Sequence, residues 1–145
     1  MLMILCDSGP LIAAAASNDA DHHACTQMFS GLRLAERRLP IPQTVVAEVG
    51  YMLAAWVNTE VEAKFLESVA AGDFEPVDLV PEDFVRMAEL VRQYDDRPLG
   101  TTDASVIALA ERLDVEEIAT LDHRHFRVVR PSHVETLTLL PEVVS

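Results

Sequence analysis

The sequence predicts an α/β domain built on a mainly parallel central sheet flanked by helices. Short apolar runs alternate with longer stretches of helical periodicity, the pattern of strands that return to one sheet through helical crossovers. The chain has 145 residues and is 50% hydrophobic, enough to bury one core and too apolar for a disordered segment. No Gly/Ser-rich linker, internal repeat or low-complexity stretch divides it, so residues 1–145 read as one domain.

The elements follow in order. Leu2 to Cys6 is a continuous apolar run ending at a polar turn, as a short buried strand would be. No basic stretch precedes it and Asp7 interrupts it, which makes Met1 to Leu5 a poor signal peptide. No apolar run approaches the roughly 20 residues that span a bilayer, so a cytoplasmic protein without membrane association is expected. Leu11 to Ala16 is helix-prone, and Asp19-Ala20-Asp21 opens a second helix running to about Gly31. Leu39 to Pro42 is extended, because proline biases its predecessor away from helix.

A helix is predicted from Thr44 to Asn58, with Val45, Val49, Leu53 and Trp56 on one stripe. Thr59 is placed as the cap of the next, with Glu62 completing a Thr-x-x-Glu capping box, and Gly72 ends it. Met52 and Trp56 flank the stripe, so a groove between these two helices is expected to seat an amphipathic segment of another chain. Phe74 to Leu79 reads as a strand, Pro81 to Tyr94 as an amphipathic helix, and Asp95 to Gly100 as a loop. A helix from Thr102 to Leu113, a buried strand from Ile118 to Leu121 and a terminal strand from Thr136 to Leu140 complete the pattern.

The formal net charge of −13 speaks against unaided nucleic-acid binding. Of the 11 basic residues, all but Lys64 are arginines, whose planar fork suits phosphate. They fall in two groups, Arg33, Arg37 and Arg38, and Arg124, Arg127 and Arg130; each reads equally well as a solvated face or as a phosphate contact. Cys6 and Cys25 match no metal-ligand spacing and are expected to be small buried apolar residues.

Four carboxylates carry the functional argument. Asp7 and Asp122 each follow a predicted strand, while Glu48 and Asp103 are placed in the first turns of their helices. In a parallel sheet, strand carboxyl ends and the amino ends of the following helices share one edge, where ligands bind. Each acid has an innocent explanation: aspartate forms turns, and the macrodipole favours an acid in a helix's first turn. Yet Asp103 shares a face with Ile107 and Ala110, and Glu48 lies beside Val45 and Met52, which reduces their hydration. Clustered acids raise one another's pKa, and a divalent cation resolves that conflict.

Other sites weigh less. His22 and His23 are adjacent on a helix and do not face one ligand position. His123 and His125 lie close enough to Asp122 to assist as acid or base. No P-loop or GxGxxG cradle is present. A receiver-type phosphoacceptor domain would need paired acids near the first strand and a late lysine, but Asp7 stands alone and the only lysine is Lys64.

The residues Ile4-Leu5-Cys6-Asp7-Ser8, Val45-Val46-Ala47-Glu48-Val49, Thr102-Asp103-Ala104-Ser105-Val106-Ile107-Ala108 and Ala119-Thr120-Leu121-Asp122, with Phe126 shortly after, resemble those of PIN-domain nucleases. The likeness is to the VapC-type toxins of toxin–antitoxin pairs, and its four motifs span nearly the whole chain in order. The resemblance implies a PIN-like fold, dependence on Mg²⁺ or Mn²⁺, an RNA substrate, a cognate antitoxin and a homodimer. It makes Asp7 and Asp103 the principal metal ligands, Glu48 and Asp122 the rest of the acidic site, and Ser8 and Thr120 supporting hydrogen-bond donors. Gly9-Pro10 departs from the pattern, where many relatives have another hydroxyl or branched residue. A catalytically silent PIN-like module that binds RNA or protein is the alternative.

Overall fold

The computed structural model describes residues 2–142; Met1 of the apolar opening and the last three residues of the expected domain lie outside the described residues. The chain runs β1 (Leu5–Cys6), α1 (Ser8–Ala15), α2 (His22–Leu34), β2 (Pro40–Pro42), α3 (Gln43–Trp56) and α4 (Thr59–Ala70). It continues as β3 (Glu75–Val77), α5 (Pro81–Gln93), α6 (Thr101–Leu113), β4 (Glu117–Ala119), α7 (His123–Val128) and β5 (Thr138–Leu140).

Every strand pair described is parallel. One sheet has the order β1-β4-β5 and a second pairs β2 with β3. They meet where Met3 bridges Arg38, with Ile4 N donating to Arg38 O at 3.0 Å. The order across the molecule is therefore β3-β2-β1-β4-β5, and all the strands' carboxyl ends lie along one edge. The expected parallel α/β architecture is present, with shorter strands than the apolar runs imply.

The core explains this arrangement. Ile4, Leu5 and Cys6 are fully buried, as suits a central strand covered on both faces. Helix α6 is buried from Ala104 through Ala110, so it sits inside rather than on a surface. It packs most heavily on α5, whose apolar side supplies Met87 and Leu90. Asp114 ends α6 in the left-handed conformation, which aspartate tolerates better than most residues.

Several expectations need correction. The cap of α4 is Asn58, whose side chain accepts from Val61 N at 2.9 Å; Thr59 is already helical. On α3, Val45, Val49 and Leu53 are fully buried, but Trp56 is 67% exposed and leaves the stripe. The helix has slipped past its core-facing side by its last turn. Met52 packs against the core, and an apolar cleft of about 470 Å³ opens instead on another side of α4, lined by Leu11, Phe29, Phe65 and Phe74. Helix α7 was not expected, since its six residues are too few to show a periodicity.

Candidate active site

Asp7 is the residue at which β1 becomes α1. Its N–H extends the parallel ladder by donating to Ala119 O at 2.9 Å, and its carboxylate is 5% exposed. Thr120, beside it on the β4 side, is fully buried and donates its hydroxyl to Asp7 Oδ2 at 2.9 Å. The same hydroxyl accepts from Asp122 N at 3.0 Å. One side chain thus tethers two acids that the sequence separates widely.

Asp122 caps α7. Its Oδ1 accepts from His125 N at 3.2 Å, and its Oδ2 lies 2.7 Å from His125 Nδ1. An aspartate beyond a strand end and three residues before a histidine is therefore doubly fixed.

Glu48 comes from α3, and here the sequence expectation fails. The helix starts at Gln43, so Glu48 lies in its second turn, and no acid occupies the first. The macrodipole does not account for it. Its carboxylate instead accepts a hydrogen bond from Ser8 Oγ in α1. Asp103 does lie in the first turn of α6, partly buried beside the apolar body of that helix.

The orientation of α3 against α6 is set by a hydroxyl pair that sequence reasoning did not single out. Thr44 and Ser105 oxygens are 2.6 Å apart, and Ser105 Oγ is also 2.6 Å from Thr102 O. A carbonyl only accepts, so Ser105 donates to Thr102 and Thr44 donates to Ser105. The hydroxyl at the fourth position of Thr102-Asp103-Ala104-Ser105 was the available signal. Ser8 and Thr120 act as the supporting donors expected of them. At Gly9, an added Cβ would meet Leu121 Cβ at 3.3 Å, so the departure from the motif coincides with a close approach of α1 to the β4 side.

Two of the four acids are shifted by their surroundings. Burial pushes the Asp7 carboxyl up to about 6, against the lowering effect of the Ser8 N–H and the Thr120 hydroxyl; Glu48 and Asp122 raise it further. Asp103 rises to about 7, first through burial, then through Asp7, Asp122 and Glu48, with His125 acting in the opposite sense. The repulsion that Asp7 and Asp103 receive from Glu48 and Asp122 places all four in one electrostatic neighbourhood. Cys6 lies beside it, but burial and Asp7 push its thiol far up, which leaves it un-ionised.

Among the described residues, no three His, Cys, Asp or Glu side chains converge closely enough to enclose an ion. An all-protein zinc cage is not what the donors form. The set is all oxygen, carboxylate and short of positive charge, which fits a hard divalent cation that keeps several waters and takes one or two carboxylates directly. Asp7 and Asp103 are the two whose ionisation the surroundings oppose most clearly.

Fold and site together define a class. The PIN domain family profile matches residues 4–131, and the chain belongs to that family. Its similarity to individual members is extensive. It is 30% identical to ribonuclease VapC26 of Mycobacterium tuberculosis over 138 residues, 95% of this chain and 100% of that protein. Among solved structures, it resembles the sarcin–ricin-loop-cleaving toxin VapC20 of Mycobacterium tuberculosis, with a TM-score of 0.71 and 13% identity over 79% of this chain and 86% of that one. It also resembles a chain of the promoter-DNA-bound VapBC2 complex of Rickettsia felis, with a TM-score of 0.69 and 14% identity over 95% and 97% of the two chains. At that identity the two structures show a shared fold. No described helix is long and apolar enough to cross a membrane.

Proposed function

We propose that this chain is an endoribonuclease of the VapC type, the toxin of a toxin–antitoxin pair, and that Asp7, Glu48, Asp103 and Asp122 are its cleavage site. The observation that carries the assignment is the placement of the four acids at one edge of a PIN-domain fold, where Thr120 links Asp7 to Asp122 and Ser8 holds Glu48, while burial and the neighbouring acids raise Asp7 and Asp103. Protein chemistry tolerates such an arrangement chiefly where a cation or substrate offsets it.

Asp7 and Asp103 hold the ion, Mg²⁺ by preference and Mn²⁺ as a substitute. A divalent cation bound there supplies Lewis-acid stabilisation of the charge that builds on the phosphodiester as water attacks. The chain's own residues do the rest. Thr120 holds Asp7 in position from β4 while fixing the backbone of Asp122. Ser8 holds Glu48, which with Asp122 accepts hydrogen bonds from the attacking water and orients it. The residues therefore contribute placement, and the reversal of a locally negative field is what admits RNA to an acidic protein.

We place an amphipathic segment of the cognate antitoxin in the apolar cleft beside α4, where Arg33 and Lys64 lie among the lining residues and meet acidic side chains. A bulky residue in place of Ala14, another lining residue, is expected to weaken antitoxin capture without changing cleavage. The chain is further proposed to pair as a homodimer, to remain in the cytoplasm and to fold as one domain over residues 1–145. Light scattering of the purified toxin tests the pairing. The decisive experiment is RNA cleavage by purified protein with Mg²⁺, Mn²⁺ or EDTA. Activity unaffected by EDTA would sink the metal site, and metal-replete protein that cuts no RNA would favour the silent module.

A further inference from the structure

The two arginine groups have different fates in the fold. Arg37 is paired with Glu117, and Arg38 makes a two-pronged contact with Glu75 at 3.0 and 2.6 Å. Arg33 lies over the Phe74 ring at 5.4 Å. Arg33 faces the apolar cleft beside α4, and Arg37 and Arg38 are consumed by the structure. The second group is not. Arg124 and Arg127 are exposed on α7, and among the described residues neither has a carboxylate partner. Arg127 approaches only the His123 ring, at 3.4 Å, and Arg130 donates to the carbonyls of Arg127 and Val129, closing the end of the helix.

Position gives this freedom a meaning. Asp122 caps α7, so the helix starts at the acidic site and leads away from it for about 9 Å. His123, Phe126 and Val129 anchor its inner side, leaving Arg124 and Arg127, three residues apart, as neighbours on the outer surface. In a chain of net charge −13, two unpaired guanidinium groups beside the candidate site form a local exception to the field. Asp95 and Asp96 follow Tyr94, whose hydroxyl accepts from Arg130 N at 2.9 Å, yet neither forms an ion pair with these arginines.

We propose that Arg124 and Arg127 are the surface on which the RNA backbone lies as it leaves the cleavage site, each taking a phosphate; the proposal rests on the ribonuclease reading above. Arg130 contributes charge but chiefly holds the end of α7. The contacts carry affinity and register without reading bases.

The test uses Arg124→Ala/Arg127→Ala in the full chain with Mg²⁺. An unstructured single-stranded oligoribonucleotide is the probe, cut by the otherwise native protein and bound by an Asp7→Asn background. Losing two phosphate contacts should weaken binding roughly tenfold or more and reduce the slope of log affinity against log salt by about 1.4. KM should rise while kcat at saturation holds. Arg124→Lys/Arg127→Lys should recover most of the binding, and an unchanged melting temperature certifies the fold. Arg37→Ala/Arg38→Ala makes the same change in net charge and should leave the salt slope unaltered. An equal loss in that control would overturn the proposal, because net charge alone would then explain it. So would unchanged RNA affinity in the α7 variant, with or without lost binding of a poly-glutamate peptide; lost peptide binding would assign the surface to a protein partner. If native protein cuts no RNA with either metal, the ribonuclease reading fails instead, which is a distinct result.

Discussion

At the amino edge of the sheet, Glu75 and Glu117 open β3 and β4 and are met by Arg38 and Arg37. Close by, in the last turn of α6, Glu111 pairs with Arg86 at 2.8 Å and Arg112 with the buried Asp83 at 3.1 Å. At the carboxyl edge, Asp7, Glu48 and Asp122 have hydroxyl and amide partners and one histidine, and among the described residues none of these three or Asp103 pairs with an arginine. The consequences run in opposite directions. The Arg38 contacts hold Glu75 below the usual carboxylate range. Burial acts to raise Glu111, yet Arg86 and the Ser132 N–H bring it down. Asp7 and Asp103 go up. The same residue type is spent on cohesion at one end of the sheet and kept short of partners at the other. A carboxylate that stabilises the fold has its cation built in, whereas one that works must wait for it.

The largest expected effect sharpens that contrast. Asp7→Asn and Asp103→Asn should each lower RNA cleavage at least about a hundredfold, since every 1.4 kcal/mol of lost charge stabilisation is about tenfold in rate. Neither should cost stability in the absence of metal, because each removes a repelled charge. Cleavage assays and melting of the metal-free proteins check both halves. Full activity in either variant would break the assignment.

Metal and pH follow. Folded Asp7 titrates near 6 and folded Asp103 near 7, both above the ordinary aspartate value of about 3.9. Between those values the folded state binds more protons than the unfolded one. The contribution of these two groups to metal-free stability is therefore full below about pH 4 and is lost as pH rises through about 7. Mg²⁺ or Mn²⁺ should oppose that loss, by about 2.7 kcal/mol at a hundredfold excess over Kd. The gain should shrink in Asp7→Asn. Thermal melts from pH 4 to 8, with EDTA or metal, give the readout; a metal-induced rise equal in both proteins would place the cation elsewhere.

Asp83 tests the other end. It accepts from Val80 N at 2.9 Å and from Arg112, and it is 3% exposed. Asp83→Asn should cost about 2 kcal/mol, the order of a charge-assisted hydrogen bond discounted for the partial exposure of Arg112. Activity per folded molecule should not change. A large activity loss at full stability would break the division of labour between the edges.

Much of this was legible in the sequence, for identifiable reasons. Asp7 and Asp122 follow apolar runs directly, so strand ends could be read and a parallel sheet brought those ends together. Asp103 was legible because Ile107 and Ala110 mark its helix face. Glu48 was assigned to the right edge but the wrong turn: it is the sixth residue of α3, and even from the expected start at Thr44 it would have been the fifth, already past the first turn. Asn58 was passed over for Thr59 because the Thr-x-x-Glu pattern is local, whereas the cap is decided by which residue is extended. Trp56 left its stripe because periodicity gives direction but not where a neighbouring element stops. The fate of the arginines was not readable at all: Arg37 and Arg124 look alike until the partners are placed, 80 residues away in one case and, among the described residues, no carboxylate in the other.

The smallest effect concerns how the acidic edge is held together. Thr120 hydrogen-bonds to two of the four acidic residues, donating to Asp7 Oδ2 and accepting from Asp122 N. Thr120→Val keeps the shape and the branched side chain that suits this buried position after β4, but it removes both hydrogen bonds. The hydroxyl lowers the Asp7 pKa, so its loss should push that carboxyl higher still and make the ionised form rarer near neutral pH. Metal affinity should fall by roughly tenfold, the lower end for loss of a group that orients a ligand. The signature is a raised metal requirement and a cleavage profile displaced toward higher pH, with activity approaching the native level at saturating Mg²⁺. Thr120→Ser, which restores the donor, should recover both. A valine variant with native metal dependence and an undisplaced pH profile would mean that Asp7 is positioned by its backbone alone, and that the link between β1 and β4 serves only the fold.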